Sequence, residues 1–217
     1  MRHPPYRIAT KRLVIRCWNP DDAPRLTEAL AESREHLMRW LPWAADEPRP
    51  LDDRVELLRT FRGRFDLGED FVYGILDPKE RMVLGGTGLH TRAGPDALEI
   101  GYWIRASKVG KGFATEAAAA LTKVAFELLA VDRVEIRVEP GNDASLAIPG
   151  KLGYRVEGTL RRRLPGADGT KRDVIVTSLF AAEYGKSPAA RARLRAWDAA
   201  GRRMGGASGR EARPRSR

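Results

Sequence analysis

The chain reads as an α+β protein built on one mixed, mainly antiparallel sheet, and three observations predict it. Three apolar runs, "DFVYGILD", "RMVLGGTGLH" and "ALEIGYWIR", follow one another with only turn-rich segments such as "DPKE" and "TRAGPD" between them, which is the pattern of an antiparallel meander. The stretch "FATEAAAALTKVAFELL" then has helical periodicity, so one helix crosses between "YWI" and the next strand. In that strand, "RVEIRVEP", Val134, Ile136 and Val138 alternate with Arg133, Glu135 and Arg137, as on a half-buried strand.

The remaining elements follow in order. "RLVIRCW" reads as a first strand, and "NPDDAPRLTEALAESREHLMRWL" as a helix after an Asn/Asp cap, with Leu26, Leu30, Leu37 and Trp40 at helical spacing. "LDDRVELLRTFRGRF" is a second helix, closed by Gly68, and the meander comes next. After the crossing helix and its strand, "DASLAIPGKLG" is a short helix. "YRVEGTL" and "DVIVTSLF" then pair as a last hairpin around "GADGT". No internal repeat is visible.

Length and composition narrow the function classes. With 217 residues there is one domain's worth of chain and a remainder. Hydrophobic residues are 42% of it, yet no run approaches the roughly twenty apolar residues of a bilayer-spanning helix. The opening "MRHPPYRIATKRLVIR" lacks an apolar block with a cleavage site, so the expected location is the cytoplasm. Cys17, the single cysteine, lies in the apolar "LVIRCW" and reads as a core residue; with His3, His36 and His90 it makes no metal-ligand spacing, so no metal is expected. The formal charge is +10, but residues 185–217 hold ten Lys/Arg against Asp198 and Glu211 and so account for +8 of it. Residues 1–184 are therefore expected to be the domain and 185–217 a basic, disordered tail, with a short helix early in it where Leu194 and Trp197 share a face.

The segment "VGKGFAT", residues 109–115, raises the question of a phosphate cradle. Lys111 is followed by Gly112 and not by the Ser or Thr of a Walker loop, and Thr115 stands where a dinucleotide fingerprint needs its third glycine. A plain glycine turn between strand and helix is the bland alternative. Against it, the turn follows a strand ending at Ile104 and opens a long helix, whose free amides and dipole favour a pyrophosphate, with Gly110 and Gly112 allowing close approach.

Taken together, "EIGYWIRASKVGKGFATEA" and "RVEIRVEPGNDASLAIPGKLGY" resemble the acetyl-CoA-binding core of the GNAT superfamily of N-acetyltransferases, and especially its RimJ/RimL branch. The likeness spans residues 10–182 and includes "RLVIR", "REHLMRWLPWA", "GGTGLH" and "RDVIVTSL". It implies a GNAT-like sheet with a splayed central strand pair and helices on both faces. It also places the [Q/R]-x-x-G-x-[G/A] signature on Val109, Gly110, Lys111, Gly112, Phe113 and Ala114, with Thr115 next; Val109 departs from the usual Gln or Arg. By the same resemblance acetyl-CoA is the cosubstrate, its pantetheine runs along Trp103 and Ile104 like an added strand, and Asn142 and Ser145 of "NDAS" lie near its thiol arm. A helix cap would explain Asn142 equally well.

Direct acetyl transfer needs a neutral amine, an oxyanion site and a proton for the thiolate. Glu99, in the strand feeding the cradle, is where related enzymes often place a base, although an outward-facing glutamate is an equal reading; backbone amides around Ile104 would receive the oxyanion. Many relatives protonate the thiolate with a tyrosine at the position of Pro149, so Ser145 is the candidate donor and Tyr154 the fallback, the latter also reading as core. On the acceptor side stand Trp40, Trp43 and His90, with Asp46 and Glu47 beside the tryptophans; core packing and a structural histidine are the plain alternatives. The arginines 161–163 read as a solvated hairpin edge. Three functions follow: N-acetylation of the α-amine of a protein or peptide such as a ribosomal protein, N-acetylation of a small amine (antibiotic, polyamine or amino acid), or a ribosome- or RNA-associated scaffold acting through its basic tail. No membrane partner is expected, and a homodimer is left open.

Overall fold

The computed structural model describes residues 3–166 and 168–205. Strands β1 (Arg7–Ala9), β2 (Val14–Cys17), β3 (Phe71–Leu76), β4 (Val83–His90), β5 (Ala97–Ile104), β6 (Arg133–Val138), β7 (Arg155–Pro165), β8 (Lys171–Phe180), β9 (Arg195–Trp197) and β10 (Arg203–Met204) form one sheet in the order β10-β9-β1-β2-β3-β4-β5-β6-β8-β7. Every neighbouring pair is antiparallel except β5 and β6. The helices are α1 (Ala23–Met38), α2 (Leu51–Leu67), α3 (Phe113–Glu127), α4 (Asp143–Leu152) and the single turn α5 (Ala181–Tyr184). Among the described residues no helix is long and apolar enough to cross a membrane.

Strand alternation divides the core between the two faces. Leu26, Leu30 and Leu37 of α1 and Leu58 of α2 bury Trp18 and Val83 on one side. On the other, Ala117, Ala118, Leu121 and Val124 of α3 and Ile148 and Leu152 of α4 pack on Leu98, Ile100, Val134 and Ile136. The alanines on α3 let it lie close to the sheet, while each fully buried Leu or Val contributes about 1.5–3 kcal/mol. Cys17 is buried in this core, as its apolar neighbours imply. Gly68 closes α2 at φ +76, a left-handed conformation that glycine adopts without strain.

The central strands part. β5 and β6 pair through only three residues, Ala97 with Arg133, Leu98 with Val134 and Glu99 with Glu135. From there β5 continues on β4 as far as Ile104 opposite Gly85, and β6 on β8 as far as Val138 opposite Ile175. A wedge-shaped gap opens between them, which is the expected splayed pair. The Arg105 amide donates to Leu84 (2.9 Å), so strand alternation turns the peptide groups of Trp103 and Gly101 toward β4 and those of Ile104 and Tyr102 into the gap, just past the last β5–β6 pair.

Three sequence expectations need correction. The first helix is shorter than Asn19 to Leu41, because Pro20–Asp22 and Pro42–Asp46 form 3-10 turns at its two ends. The last hairpin is longer, taking the exposed Arg161, Arg162 and Arg163 into β7 through a bulge in which Arg162 has φ +56. The tail expected to be disordered from Gly185 is ordered through residue 205. After a 3-10 turn at Pro188–Arg191, residues 195–197 form a strand on β1 where a helix was expected around Leu194 and Trp197, and β10 returns along it. Its low apolar content misleads because few anchors suffice: Ala189 and Ala196 are buried and Leu194 and Met204 pack on the core, while backbone pairing does the rest. Residues 206–217 of that expected tail lie outside the described residues.

A chain ending at Tyr184 would bare the edge of β1 and uncover those anchors. We expect it to melt about 4–8 °C below the full chain in a circular-dichroism thermal scan, for a loss of roughly 2 kcal/mol.

Candidate active site

The gap ends at a glycine turn. Past β5 the chain makes a 3-10 turn at Ala106–Lys108 and then two left-handed glycines, Gly110 (φ +73) and Gly112 (φ +76), before α3 begins. Among the described residues, the backbone amides from Gly110 to Thr115 donate to no protein acceptor; the first that does is Glu116, to the Gly112 carbonyl (3.1 Å). Six successive free amides at a helix N-terminus form an anion cradle.

Neighbouring elements hold this turn in place. Arg105 is tied to Glu32 (2.6 Å) and Glu28 (2.7 Å) of α1, and the Ala106 amide donates to Ser33 Oγ (2.9 Å). Val109 presents a half-exposed isopropyl group, while Arg12 brings a cation to the same turn. Its Nη1 donates to the Lys111 carbonyl (2.9 Å), its Nε to Glu116 (2.6 Å), and its guanidinium lies over the Phe113 ring (4.8 Å). Sequence reasoning missed Arg12, since nothing in its local pattern distinguishes it from a solvated strand-edge cation.

On the α3/α4 side of the gap lies a hydroxyl pair. Asn142 is the N-cap of α4, its Oδ1 accepting from the Ser145 amide (3.2 Å), so its capping role is realised. The Ser145 hydroxyl sits 3.2 Å from Tyr102 Oη, which also donates to the Ser145 carbonyl (3.2 Å). That carbonyl is free because Pro149, four residues on, has no amide to offer it. The helix thus has a proline at 149, and its open carbonyl receives a tyrosine from β5. Burial pushes the Tyr102 hydroxyl up to about 12, only partly offset by Ser145, so it holds its proton at neutral pH. Tyr154 is core: its hydroxyl is buried and hydrogen-bonded to Thr122 of α3 (2.7 Å), which removes it as a fallback donor.

The opposite face of β5 carries Glu99, Gly101 and Trp103, in register with His90, Gly88 and Gly86 of β4. A Cβ on Gly86 would lie 2.4 Å from the Trp103 indole nitrogen and one on Gly88 2.6 Å from His90 Nε2, so these glycines let both rings lie flat on the sheet. Trp43 meets Trp103 edge-on, with centroids 6.3 Å apart. Trp40 is not part of that contact; its ring carries the Arg39 guanidinium at 4.9 Å. Glu47 and Asp46 are also spent, Glu47 on the buried Arg54 and Asp46 on Arg49 (3.1 Å), so neither waits for a cationic amine.

Glu99 is buried and held at both oxygens by Arg92 (2.5 and 3.0 Å), with Arg137 at 3.4 Å. Burial alone would raise its carboxyl, but hydrogen bonds from Arg92 and the charges of Arg92 and Arg137 outweigh this and hold it below the usual range. An ionised carboxylate clamped by two arginines is a weak proton acceptor, which counts against Glu99 as the base. His90 is oriented by Asp70 through Nδ1 (2.8 Å). Among the described residues no cluster of His, Cys, Asp and Glu is placed to hold a metal ion.

A gap between parted strands, a free-amide cradle at its mouth and hydroxyls inside form a site whose chemistry suits a nucleotide-tailed thioester. Residues 12–155 match the acetyltransferase (GNAT) domain family, and the chain belongs to it: it is a GNAT N-acetyltransferase with acetyl-CoA as cosubstrate. Among curated relatives, the [ribosomal protein uS5]-alanine N-acetyltransferase of Escherichia coli (strain K12) is 29% identical over 83% of this chain and 94% of its own. YdaF of Bacillus subtilis (strain 168), provisionally described as a ribosomal N-acetyltransferase, is 31% identical over 80% and 94%. The crystal structure of Mycobacterium smegmatis RimJ in complex with CoA-disulfide superposes with a TM-score of 0.74 at 25% identity, covering 87% of this chain and 94% of that one. RimL, the ribosomal L7/L12 α-N-protein acetyltransferase, shares the fold with a TM-score of 0.71 at 19% identity, over 79% and 95%.

Gly112→Asp sets a carboxylate and a strained left-handed side chain into the cradle. We expect calorimetry to show acetyl-CoA affinity reduced at least about tenfold, equivalent to about 1.4 kcal/mol, while the far-ultraviolet circular dichroism is unchanged.

Proposed function

We propose that the chain transfers acetyl from acetyl-CoA to the N-terminal α-amine of a protein, with ribosomal proteins as the acceptor class. One structural observation carries the choice of amine. The acceptor-side carboxylates are already paired: Glu99 with Arg92 and Arg137, Glu135 with Arg133 and Arg137, Glu47 with Arg54. A polycationic amine finds no unpaired partner among these, whereas an α-amine, with a pKa near 8, already supplies a neutral fraction at physiological pH. The acceptors named for the uS5-alanine enzyme and for RimL point the same way.

In this reading the amides of Gly110, Lys111, Gly112, Phe113, Ala114 and Thr115 receive the pyrophosphate, with Arg12 supplying the cation that Val109 does not. Pantetheine lies along the gap edge of β5, bonding the peptide groups of Ile104 and Tyr102, while Trp103 contributes its indole and not its backbone. An amide that faces the gap there takes the developing oxyanion. The Ser145 hydroxyl, backed by Tyr102, protonates the departing thiolate, with Asn142 fixing the turn that carries Ser145. Trp43, Trp103 and His90 line the approach of the acceptor. An enzyme acting on ribosomal proteins would work in the cytoplasm, and Arg191, Arg193, Arg195, Arg202 and Arg203 favour association with the ribosome's anionic surface.

The test is acetyl-CoA-dependent thiol release with peptides that bear the N-termini of ribosomal proteins, beside the same peptides N-acetylated beforehand and a panel of polyamines and amino acids. Release with free α-amines only is expected. Faster turnover of a small amine than of every peptide would overturn this acceptor assignment. Ser145→Ala should lower kcat by about tenfold or more with acetyl-CoA affinity retained.

A further inference from the structure

We infer that His90, oriented by Asp70, is the group that takes the proton from the acceptor amine. The inference rests on the acetyltransferase reading above and assigns a catalytic role that Glu99 is badly placed to fill.

The geometry converges on one ring nitrogen. Asp70 accepts or shares the proton at His90 Nδ1 (2.8 Å), which fixes the ring and leaves Nε2 as the reacting atom. Among the described residues Nε2 has no hydrogen-bond partner, although the side chain is only 16% exposed. It overhangs two glycines, since a Cβ on Gly88 would lie 2.6 Å from it and one on Gly101 3.3 Å. Gly101 is two residues past Glu99, where β5 and β6 make their last pair, so Nε2 stands over the inner end of the gap. The next residue, Tyr102, points to the opposite face and bonds Ser145. The two strand faces thus carry a proton acceptor and a proton donor on either side of one bond-making site.

The charged groups around the ring are Asp70, Glu99 directly across in register, and Arg92 and Arg137, which hold Glu99. Glu99 and its arginines then serve as the wall that keeps the ring in place, not as a proton carrier. In the step itself the amine lone pair forms a bond to the thioester carbonyl carbon, and the nitrogen gives one proton to Nε2. The C–S bond breaks, the thiolate takes a proton from the Ser145 and Tyr102 hydroxyl pair, and solvent returns the imidazole proton to that pair. The products are the amide and free coenzyme A.

The experiment measures kcat against pH, acetyl-CoA affinity by calorimetry and melting temperature for wild type, His90→Gln, Asp70→Asn and Glu99→Gln. The acceptor is whichever amine the wild type acetylates fastest. A failed protein-acceptor reading therefore shows as a preferred small amine and leaves the His90 comparison intact. His90→Gln is expected to lower kcat about 100-fold and remove a one-proton decline on the acid side, with acetyl-CoA affinity unchanged. Asp70→Asn is expected to lower kcat about tenfold, again without loss of cofactor. The inference is overturned if His90→Gln keeps kcat within threefold, or if Glu99→Gln and not His90→Gln abolishes the acid-side decline.

Discussion

The parting of β5 from β6 after three residue pairs is the constraint on which the site depends. A continuous parallel ladder would satisfy the peptide groups of Tyr102 and Ile104 within the sheet. Because the strands separate, those groups face an open wedge, and burying them without a partner would cost each the desolvation of a lost hydrogen bond. An extended ligand arm that bonds like a strand resolves this. In the proposed reading, pantetheine is recognised through these unfilled sheet positions. The cradle is the continuation of the same logic, since the glycine turn leaves six amides free at the point where β5 hands the chain to α3.

Alternation along β5 then separates two kinds of chemistry by one residue. Tyr102 reaches α4 and Ser145, while Gly101 and Glu99 look toward β4's His90 on the other side of the sheet. In the proposed reaction an acceptor on the α1/α2 face would meet the ring, and a thiol on the α3/α4 face the hydroxyls. Glycines at 86 and 88 make this workable, as any larger residue would lift the indole or the imidazole off the sheet. Arginines pair the carboxylates of that face: Arg92 and Arg137 hold Glu99, and Arg133 and Arg137 hold Glu135.

Much of the fold was legible in the sequence because its signals are local. The meander, the crossing helix, the strict alternation of Val134, Ile136 and Val138, and the glycine that ends α2 all depend on residues within a few positions of one another. The tail was misread because β9 needs only Ala196 and Leu194 as anchors once β1 offers an edge, and an edge three residues long at the other end of the chain leaves no local mark. In the candidate site, the glycine turn and the Asn142 cap that bonds the Ser145 amide were legible through motif spacing. Arg12, Asp70 and Tyr102 were not, because each acts on a partner 20 to 104 residues away.

By itself the sequence determined the family, the cosubstrate, the order of elements and the position of the glycine turn before α3, since glycine placement and apolar periodicity act through backbone geometry that holds wherever the segment lies. Only the tertiary structure decided which polar side chains are already paired and which stay open. Glu99 and Glu47 look like free carboxylates in the sequence and prove to be held by arginines from other elements. Tyr102 looks like one more strand aromatic until Pro149 leaves the Ser145 carbonyl open beneath it. A group's charge and reactivity depend on what surrounds it in space, and those surroundings are assembled from segments that the chain keeps far apart.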